Sequence, residues 1–386
     1  MKKAIINGKI ITEKEILSGK VLVFDQKILA IQDEIPDNAQ IIDANGDFVS
    51  AGFIDIHTHG AGGYDFNDRD ESKIGDALKT YIKNGVTSVF PTLVATSYEK
   101  TAEILDCIKS YIDKNGESVI RGVHLEGPYL AMEMKGAIDE RYITPPKKEE
   151  YSRLLRIYGN LIKRWTYAPE NDIGDEFLKT LFENGVVPSA GHTQAKYDDM
   201  QRQSQKGCNL ITHFYSCTST ITREKGFRKL GVIETTELSD TICAEIIADG
   251  KHVPKELVQL TFKIIGEDRL CFCTDSMRAA GVNCKKSILG SLDDGIECLV
   301  EDGVAKLIDR SAFAGSVAIP SMMLNFAVNE VGLDIVTAVK MLTVNPAKFM
   351  KLNSKGSLNV GNDADIVVFD KDFKVNKTFL QGEIYA

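Results

Sequence analysis

Long apolar runs, paired cysteines and clustered positive charge are all missing from this sequence, and each absence excludes a class of protein. No uninterrupted stretch of about 18 apolar residues occurs, so no membrane-spanning helix is expected. The opening, Met1-Lys2-Lys3-Ala4-Ile5-Ile6, is broken by Asn7, Gly8 and Lys9 before a signal-peptide core can form. The eight cysteines (107, 208, 217, 243, 271, 273, 284 and 298) include no CxxC pair. Several lie in apolar, strand-like runs, as in Cys271-Phe272-Cys273, and read as buried free thiols in a reducing, cytoplasmic setting. Lysine plus arginine number 46 against 55 acidic residues, a net charge of −9, with no long basic run. Such a surface repels a nucleic-acid backbone or an anionic membrane on average, so neither is expected as a partner. Solenoid-type repeats and low-complexity segments are absent as well.

What remains is the composition of a globular protein, 43% hydrophobic and 26% charged over 386 residues. That length fits an α/β barrel of roughly 250 residues plus a smaller module. Residues 1–49 read as short strands and turns, among them Lys20–Phe24 and Lys27–Ile31. The far end reads the same way, with Ala364–Phe369 and a strand pair over 373–386. The economical arrangement is one small β-sandwich module made from both termini, 1–49 with 346–386, and a (β/α)₈ barrel over 50–345 between them.

Eight strands are expected in the barrel: Phe53–His57, Thr87–Leu93, Ile120–Leu125, Arg164–Ala168, Val186–Ala190, Leu210–His213, Ile242–Ala248 and Leu270–Thr274. Helical patterns alternate with them. Asp70–Asn84 stops at Gly85 and Glu176–Asn184 at Gly185, both plausible C-caps. Residues 286–310 read as a hairpin insertion, followed by helices over Pro320–Val331 and Leu333–Leu342.

All six histidines fall at or just past the carboxyl ends of these strands. They occur in His57-Thr58-His59, His124-Leu125-Glu126, Gly191-His192-Thr193, Thr212-His213 and Asp249-Gly250-Lys251-His252, and Thr274-Asp275 closes the series. In a (β/α)₈ barrel that rim is where active sites form. Alternation along a strand puts His57 and His59 on one face, and His124 and Glu126 on one face. Imidazole and carboxylate groups so arranged suit a divalent transition metal such as zinc, iron, manganese or cobalt. Two histidines, a bridging carboxylate, two more histidines and a final aspartate could hold one or two ions and hydrolyse a carbonyl compound.

The segment Ala51-Gly-Phe-Ile-Asp-Ile-His-Thr-His59, after a short β module, resembles the opening of the amidohydrolase superfamily. His124-Leu-Glu-Gly-Pro128, Ser189-Ala-Gly-His-Thr193, Ile246-Ile-Ala-Asp-Gly-Lys-His252 and Thr274-Asp275 together resemble its N-acetylglucosamine-6-phosphate deacetylase family. Ala314-Gly-Ser316, Asn345-Pro-Ala347 and the 356–366 segment fit the same pattern. Other amidohydrolases often bridge their metals with a carboxylated lysine on strand four. Arg164-Trp-Thr-Tyr-Ala168 offers none at its end, which leaves Glu126 as the bridge and counts against a dihydropyrimidinase-type enzyme. The resemblance implies that Glu126, His192 and His213 hold the hydrolytic metal and that His57 and His59 complete a second site. It implies that Asp275 is general base and then acid, taking a proton from the attacking water and returning it to the departing amine.

Two motifs depart from the family. Where it usually shows Lys-Gly-Ala/Thr-His, this chain reads Lys135-Gly136-Ala137-Ile138. The replaced histidine helps to polarise the acyl carbonyl, a loss that His124 or a second ion could offset. Where the family shows His-Leu-Phe/Tyr-Asn-Ala-Met, this chain reads His213-Phe-Tyr-Ser216-Cys217-Thr218, which puts Ser216 and Cys217 at the sugar phosphate. Arg223 and His252 are kept. Arg223 stands beside Thr220, Thr222 and Lys225 and is expected, with His252, to bind the phosphate. In the family such groups can come from a neighbouring subunit, which implies a homodimer. The implied reaction is removal of acetate from N-acetylglucosamine 6-phosphate. N-acetylgalactosamine 6-phosphate or another N-acyl amino-sugar phosphate is the alternative substrate, and a catalytically silent sugar-phosphate sensor the alternative role.

Overall fold

The computed structural model describes residues 1–115 and 119–385. Eight parallel strands form its centre: β1 (Phe53–Thr58), β2 (Val86–Val94), β3 (Val123–Glu126), β4 (Ile162–Tyr167), β5 (Val187–Ala190), β6 (Leu210–Ile211), β7 (Cys243–Ile247) and β8 (Leu270–Cys273). Each pairs in parallel with its successor. The ring closes just past β8, where the Asp275 N–H donates to the His57 carbonyl at 2.9 Å and Thr58 bridges Ser276. All eight expected strands are present. The third begins at Val123 rather than Ile120, because Gly122 takes φ 149° and breaks the ladder, so that Ile120 meets Val89 in an isolated bridge outside the strand. The sixth stops at Ile211, so Thr212 and His213 lie beyond it.

Both expected C-terminal glycines follow their helices, Gly85 at φ 85° after Asn84 and Gly185 after Asn184. Helix Glu71–Lys83 starts at Asp70, whose carboxylate accepts the Ser72 N–H, and its buried Ile74, Ala77, Leu78, Tyr81 and Ile82 recur at helical spacing. Helix Glu176–Glu183 ends at Asn184, followed by Gly185 at φ 68°. On the outer face, Trp165 stacks on Tyr129 with ring centres 5.7 Å apart, and Phe177 meets Trp165 edge-on at 5.2 Å. Ile54, Ile56, Phe90, Leu210 and Cys271, from four strands, share a cluster with Ala347 and Met350 at helix Val344–Phe349.

Two further sheets come from the chain ends. One has the order Ile28–Gln32, Val21–Phe24, Lys3–Ile6, Gln40–Asp43. The other runs Glu383–Ile384, Val375–Leu380, Ile366–Phe369, Phe48–Ala51, Lys9–Ile11, Ile16–Ser18. Ile5, Leu22, Phe24, Val49, Ile366, Val368 and Phe379 share one buried cluster, so both termini build the sandwich core. The expected hairpin over 286–310 is larger than a hairpin. It is a four-stranded antiparallel sheet of Lys286–Leu289, Ile296–Glu301, Val304–Leu307 and Phe313–Ser316. The next helix is α-helical over Pro320–Asn325 and widens to a π-helix over Phe326–Val331. The one after it starts at Ile335 because Gly332 turns left-handed and Asp334 caps the Thr337 N–H. Among the described residues no helix is long and apolar enough to cross a membrane.

Candidate metal centre

Six of the side chains singled out in the sequence converge at the carboxyl ends of the barrel strands, and all six are buried. Glu126 ends β3 and is the hub. Its Oε1 lies 3.2 Å from His192 Nε2, 2.9 Å from His213 Nε2 and 3.5 Å from His57 Nε2. Its Oε2 lies 3.3 Å from His59 Nε2. Asp275 Oδ1 is 3.1 Å from His59 Nε2 and 3.4 Å from His57 Nε2. Two ligand groups result, Glu126 with His192 and His213, and His57 with His59 and Asp275, each with donor atoms inside 4.8 Å of one another.

The local backbone explains how the rings aim inward. His192, His213 and Asp275 have φ of 47°, 29° and 46°, the left-handed region that non-glycine residues rarely occupy. The chain turns sharply as each strand ends and swings the side chain over the barrel mouth. Gly191 lets this happen beside β6, since a Cβ there would meet Thr212 Cβ at 2.7 Å and Thr166 Cγ2 at 2.8 Å.

The donor set fits a divalent cation. Each of the four histidines has Nδ1 against an acceptor: His57 on Glu245 at 2.7 Å, His59 on the Thr92 carbonyl at 3.2 Å, His192 on the Met134 carbonyl at 2.7 Å and His213 on the Ser216 carbonyl at 3.0 Å. A proton on Nδ1 satisfies each contact and leaves an Nε2 lone pair facing inward. His57 Nε2 is fully buried without a hydrogen-bond partner, and the Nε2 atoms of His192 and His213 face each other at 3.1 Å. Lone pairs so placed repel one another unless a cation lies among them. Nitrogen and oxygen donors of this kind suit the borderline first-row metals.

Charge around the cluster is balanced locally. Burial pushes the Glu126 carboxyl up, but the imidazoles of His57, His192 and His213 hold it well below the usual carboxylate range. Asp275 is likewise opposed by burial and held low by His57 and His59. Burial disfavours a charge on His57, yet Glu245, Glu126 and Asp275 outweigh it and push the imidazole up to about 9. His124 goes the other way. Burial, then the charges of Arg164 and His57, press it well below the usual histidine range. Its Nδ1 is 3.1 Å from Thr92 Oγ1 and its Nε2 2.7 Å from Thr166 Oγ1. It is a neutral, fully engaged ring behind the ligands, so it is not free to replace a histidine at position 138.

A pocket opens over the cluster, and Ser216, Cys217 and His252 line it. His252 Nδ1 is 2.8 Å from Asp249 Oδ2, and its ring meets Phe313 edge-on at 4.9 Å. Ile138 faces the same pocket from a buried apolar wall that includes Val94, Ala137 and Leu289. Arg223 is not brought to it by its own chain. It lies on the hairpin Thr222–Glu224 with Phe227–Lys229, all of whose residues are exposed.

Sequence reasoning did not single out Glu245 on β7, Arg164 on β4 or the wall residues Leu289 and Phe313. Glu245 left one signal, a lone charge inside a largely buried strand, and Arg164 a weaker one, because Lys163 stands beside it. Leu289 and Phe313 left none, because the inserted sheet carries no polar motif.

The model of the amidohydrolase family matches residues 48–385. An N-acetylglucosamine-6-phosphate deacetylase of Lysinibacillus sphaericus is 30% identical, over 93% of this chain and 91% of its own. The crystal structure of N-acetylglucosamine-6-phosphate deacetylase from Pasteurella multocida superposes with a TM-score of 0.92 at 32% identity, covering 100% of both chains. The Mycobacterium smegmatis deacetylase, solved in complex with N-acetyl-D-glucosamine-6-phosphate, gives 0.90 at 26% identity and 99% coverage of each chain. The chain therefore belongs to the amidohydrolase family, alongside the N-acetylglucosamine-6-phosphate deacetylases.

Proposed function

We propose that this protein hydrolyses N-acetylglucosamine 6-phosphate to glucosamine 6-phosphate and acetate, with Asp275 as the proton shuttle. The observation that carries this reading is the placement of Asp275 beside the Glu126 and histidine cluster, at the floor of a pocket lined by Ser216, Cys217 and His252. A divalent ion held by Glu126, His192 and His213, and a second held by His57, His59 and Asp275, would polarise the amide carbonyl and activate water. Asp275, kept ionised by His57 and His59, takes a proton as water attacks the carbonyl carbon. It then gives that proton to the amide nitrogen, so the carbon–nitrogen bond breaks and the amine leaves. Burial of the ligands keeps bulk water away from the cluster. A complete ligand set with a shuttle beside it favours an enzyme over a sensor. In this reading the barrel over 50–345 carries the chemistry and the module of 1–49 with 346–386 braces it. Eight free cysteines support a cytoplasmic setting. The test is acetate release from N-acetylated hexosamines, with and without a 6-phosphate, using metal-reconstituted protein. Absence of release from every sugar overturns the reading.

We assign Arg223 to a phosphate bound in the pocket of a second copy. Its hairpin exposes Phe227 at 74%, and Ile221 just before the hairpin is 50% exposed, which supports a homodimer contact there. Arginine's planar fork matches a phosphate dianion, and a hydrogen bond to a charged group contributes roughly 1.5–3 kcal/mol. Arg223→Ala accordingly raises KM by roughly ten- to a hundredfold for the phosphorylated sugar and hardly changes the poor turnover of the unphosphorylated one. Equal kcat/KM of the wild-type protein for both sugars rules the phosphate site out.

Ile138 supplies no hydrogen bond to an acyl oxygen, and one such donor is worth ~3–4 kcal/mol in a transition state. Ile138→His therefore raises or preserves turnover of the acetylated sugar phosphate in steady-state assays. A well-folded but inactive variant shows that this wall is built for another acyl group.

A further inference from the structure

We infer that the buried Arg164–Glu245 pair is a positioning device that lets His57 hold the second ion, an inference that rests on the two-ion reading above. Neither side chain is exposed to solvent. Glu245 Oε1 accepts the His57 Nδ1–H at 2.7 Å and the His213 backbone N–H at 3.1 Å, and Oε2 accepts Arg164 Nη1 at 2.6 Å. Arg164 also donates to the Ile56 carbonyl at 3.1 Å, Ser189 Oγ at 2.9 Å and Thr212 Oγ1 at 3.0 Å. One charged network thus joins β4, β5, β7, β1 and the end of β6 beneath the ligands.

Two features tie this network to His57 rather than to the fold alone. Of the four ligand histidines only His57 is backed by a carboxylate; His59, His192 and His213 rest on backbone carbonyls. A carboxylate on Nδ1 fixes the tautomer and strengthens the Nε2 donor. Arg164 fixes the other variable, the backbone position, through the carbonyl of the residue before His57. A buried ion pair is seldom more stabilising than apolar side chains of the same volume, so stability does not account for its presence. Of the ligand rings, the pair touches that of His57 alone. His213 meets Glu245 only through its backbone N–H, and its ring keeps the Ser216 carbonyl.

The double variant Arg164→Met/Glu245→Leu removes both charges and leaves no buried ion unpaired, so the fold is kept. Metal content is measured by elemental analysis after equilibration at fixed free Co²⁺, with the Co²⁺ visible spectrum as a second readout. The wild-type protein binds two ions per chain and His57→Ala binds one. The double variant keeps the ion at Glu126, His192 and His213 and binds the other roughly 10–100-fold more weakly. Arg164→Met/Glu245→Gln, which retains an oxygen for the His57 Nδ1–H and likewise leaves no buried charge unpaired, recovers part of that loss. A folded double variant that binds both ions with wild-type affinity overturns the inference. If Arg164→Met/Glu245→Leu does not fold, Arg164→Met/Glu245→Gln decides alone, and unchanged affinity for the second ion in that variant overturns the inference. A wild-type content of one ion that His57→Ala leaves unaltered overturns the two-ion reading itself.

Discussion

Asp275→Asn lowers kcat by roughly 10²–10⁴, the usual cost of removing a general base, while the fold and the ion at Glu126, His192 and His213 remain. Asparagine has the shape of aspartate but neither takes nor returns a proton. The substitution is structurally mild for two reasons. The bond that closes the barrel here is made by the backbone N–H of Asp275 to the His57 carbonyl, not by its carboxylate. Its φ of 46° is a conformation that asparagine tolerates as readily as aspartate. The carboxylate does lie 3.1 Å from His59 and 3.4 Å from His57, so the second ion binds more weakly. Acetate release at saturating substrate, with metal content and circular dichroism measured alongside, separates lost chemistry from lost metal. Turnover within a few-fold of wild type removes Asp275 from the mechanism.

Glu126→Gln has a still larger effect, because it strikes both ligand groups together. The Glu126 carboxylate lies within 3.5 Å of all four Nε2 atoms. A neutral amide presents one oxygen where two were shared, and its NH₂ points hydrogens at donors meant for a cation. Metal content falls from two ions toward none. Turnover drops by at least the ~10²–10⁴-fold expected for loss of the shuttle, because activation of water goes with the metal. A second consequence is thermal. A ligand present at about 1,000 times its Kd stabilises the folded state by about 4 kcal/mol, so wild type melts higher with added divalent metal and Glu126→Gln hardly responds. Differential scanning fluorimetry with and without metal checks this. A Glu126→Gln protein that still binds two ions shows that Glu126 is not the bridge.

The rim location of the site and the eight-strand barrel were legible in the sequence, because both are written in local pattern. A short β-branched run ending in histidine or acid shows strand, direction and polar end within a few residues, as in Phe53–His59. A parallel sheet with helical crossovers then carries every carboxyl end to one side. The β-sandwich from both termini was legible for the same reason, since Lys20–Ile31 and Ala364–Phe369 both show strand patterns.

What only the tertiary structure decided is which atoms meet across the barrel. Arg164 and Glu245 are 81 positions apart, and although each is a charge within a largely buried strand, nothing in the local pattern pairs them. Closure of the ring brings them to 2.6 Å and makes them the support of His57. His124 shares a strand face with Glu126, yet one layer deeper it spends both nitrogens on threonines, and no periodicity distinguishes a rim residue from one behind it. Arg223, near His213 in sequence, projects away on an exposed hairpin, while Leu289 and Phe313 reach the pocket from an inserted sheet. The division has one physical cause. Alternation and capping are set by neighbours a few residues away, whereas a ligand's hydrogen-bond partners are set by strands whose adjacency exists only once the barrel has closed.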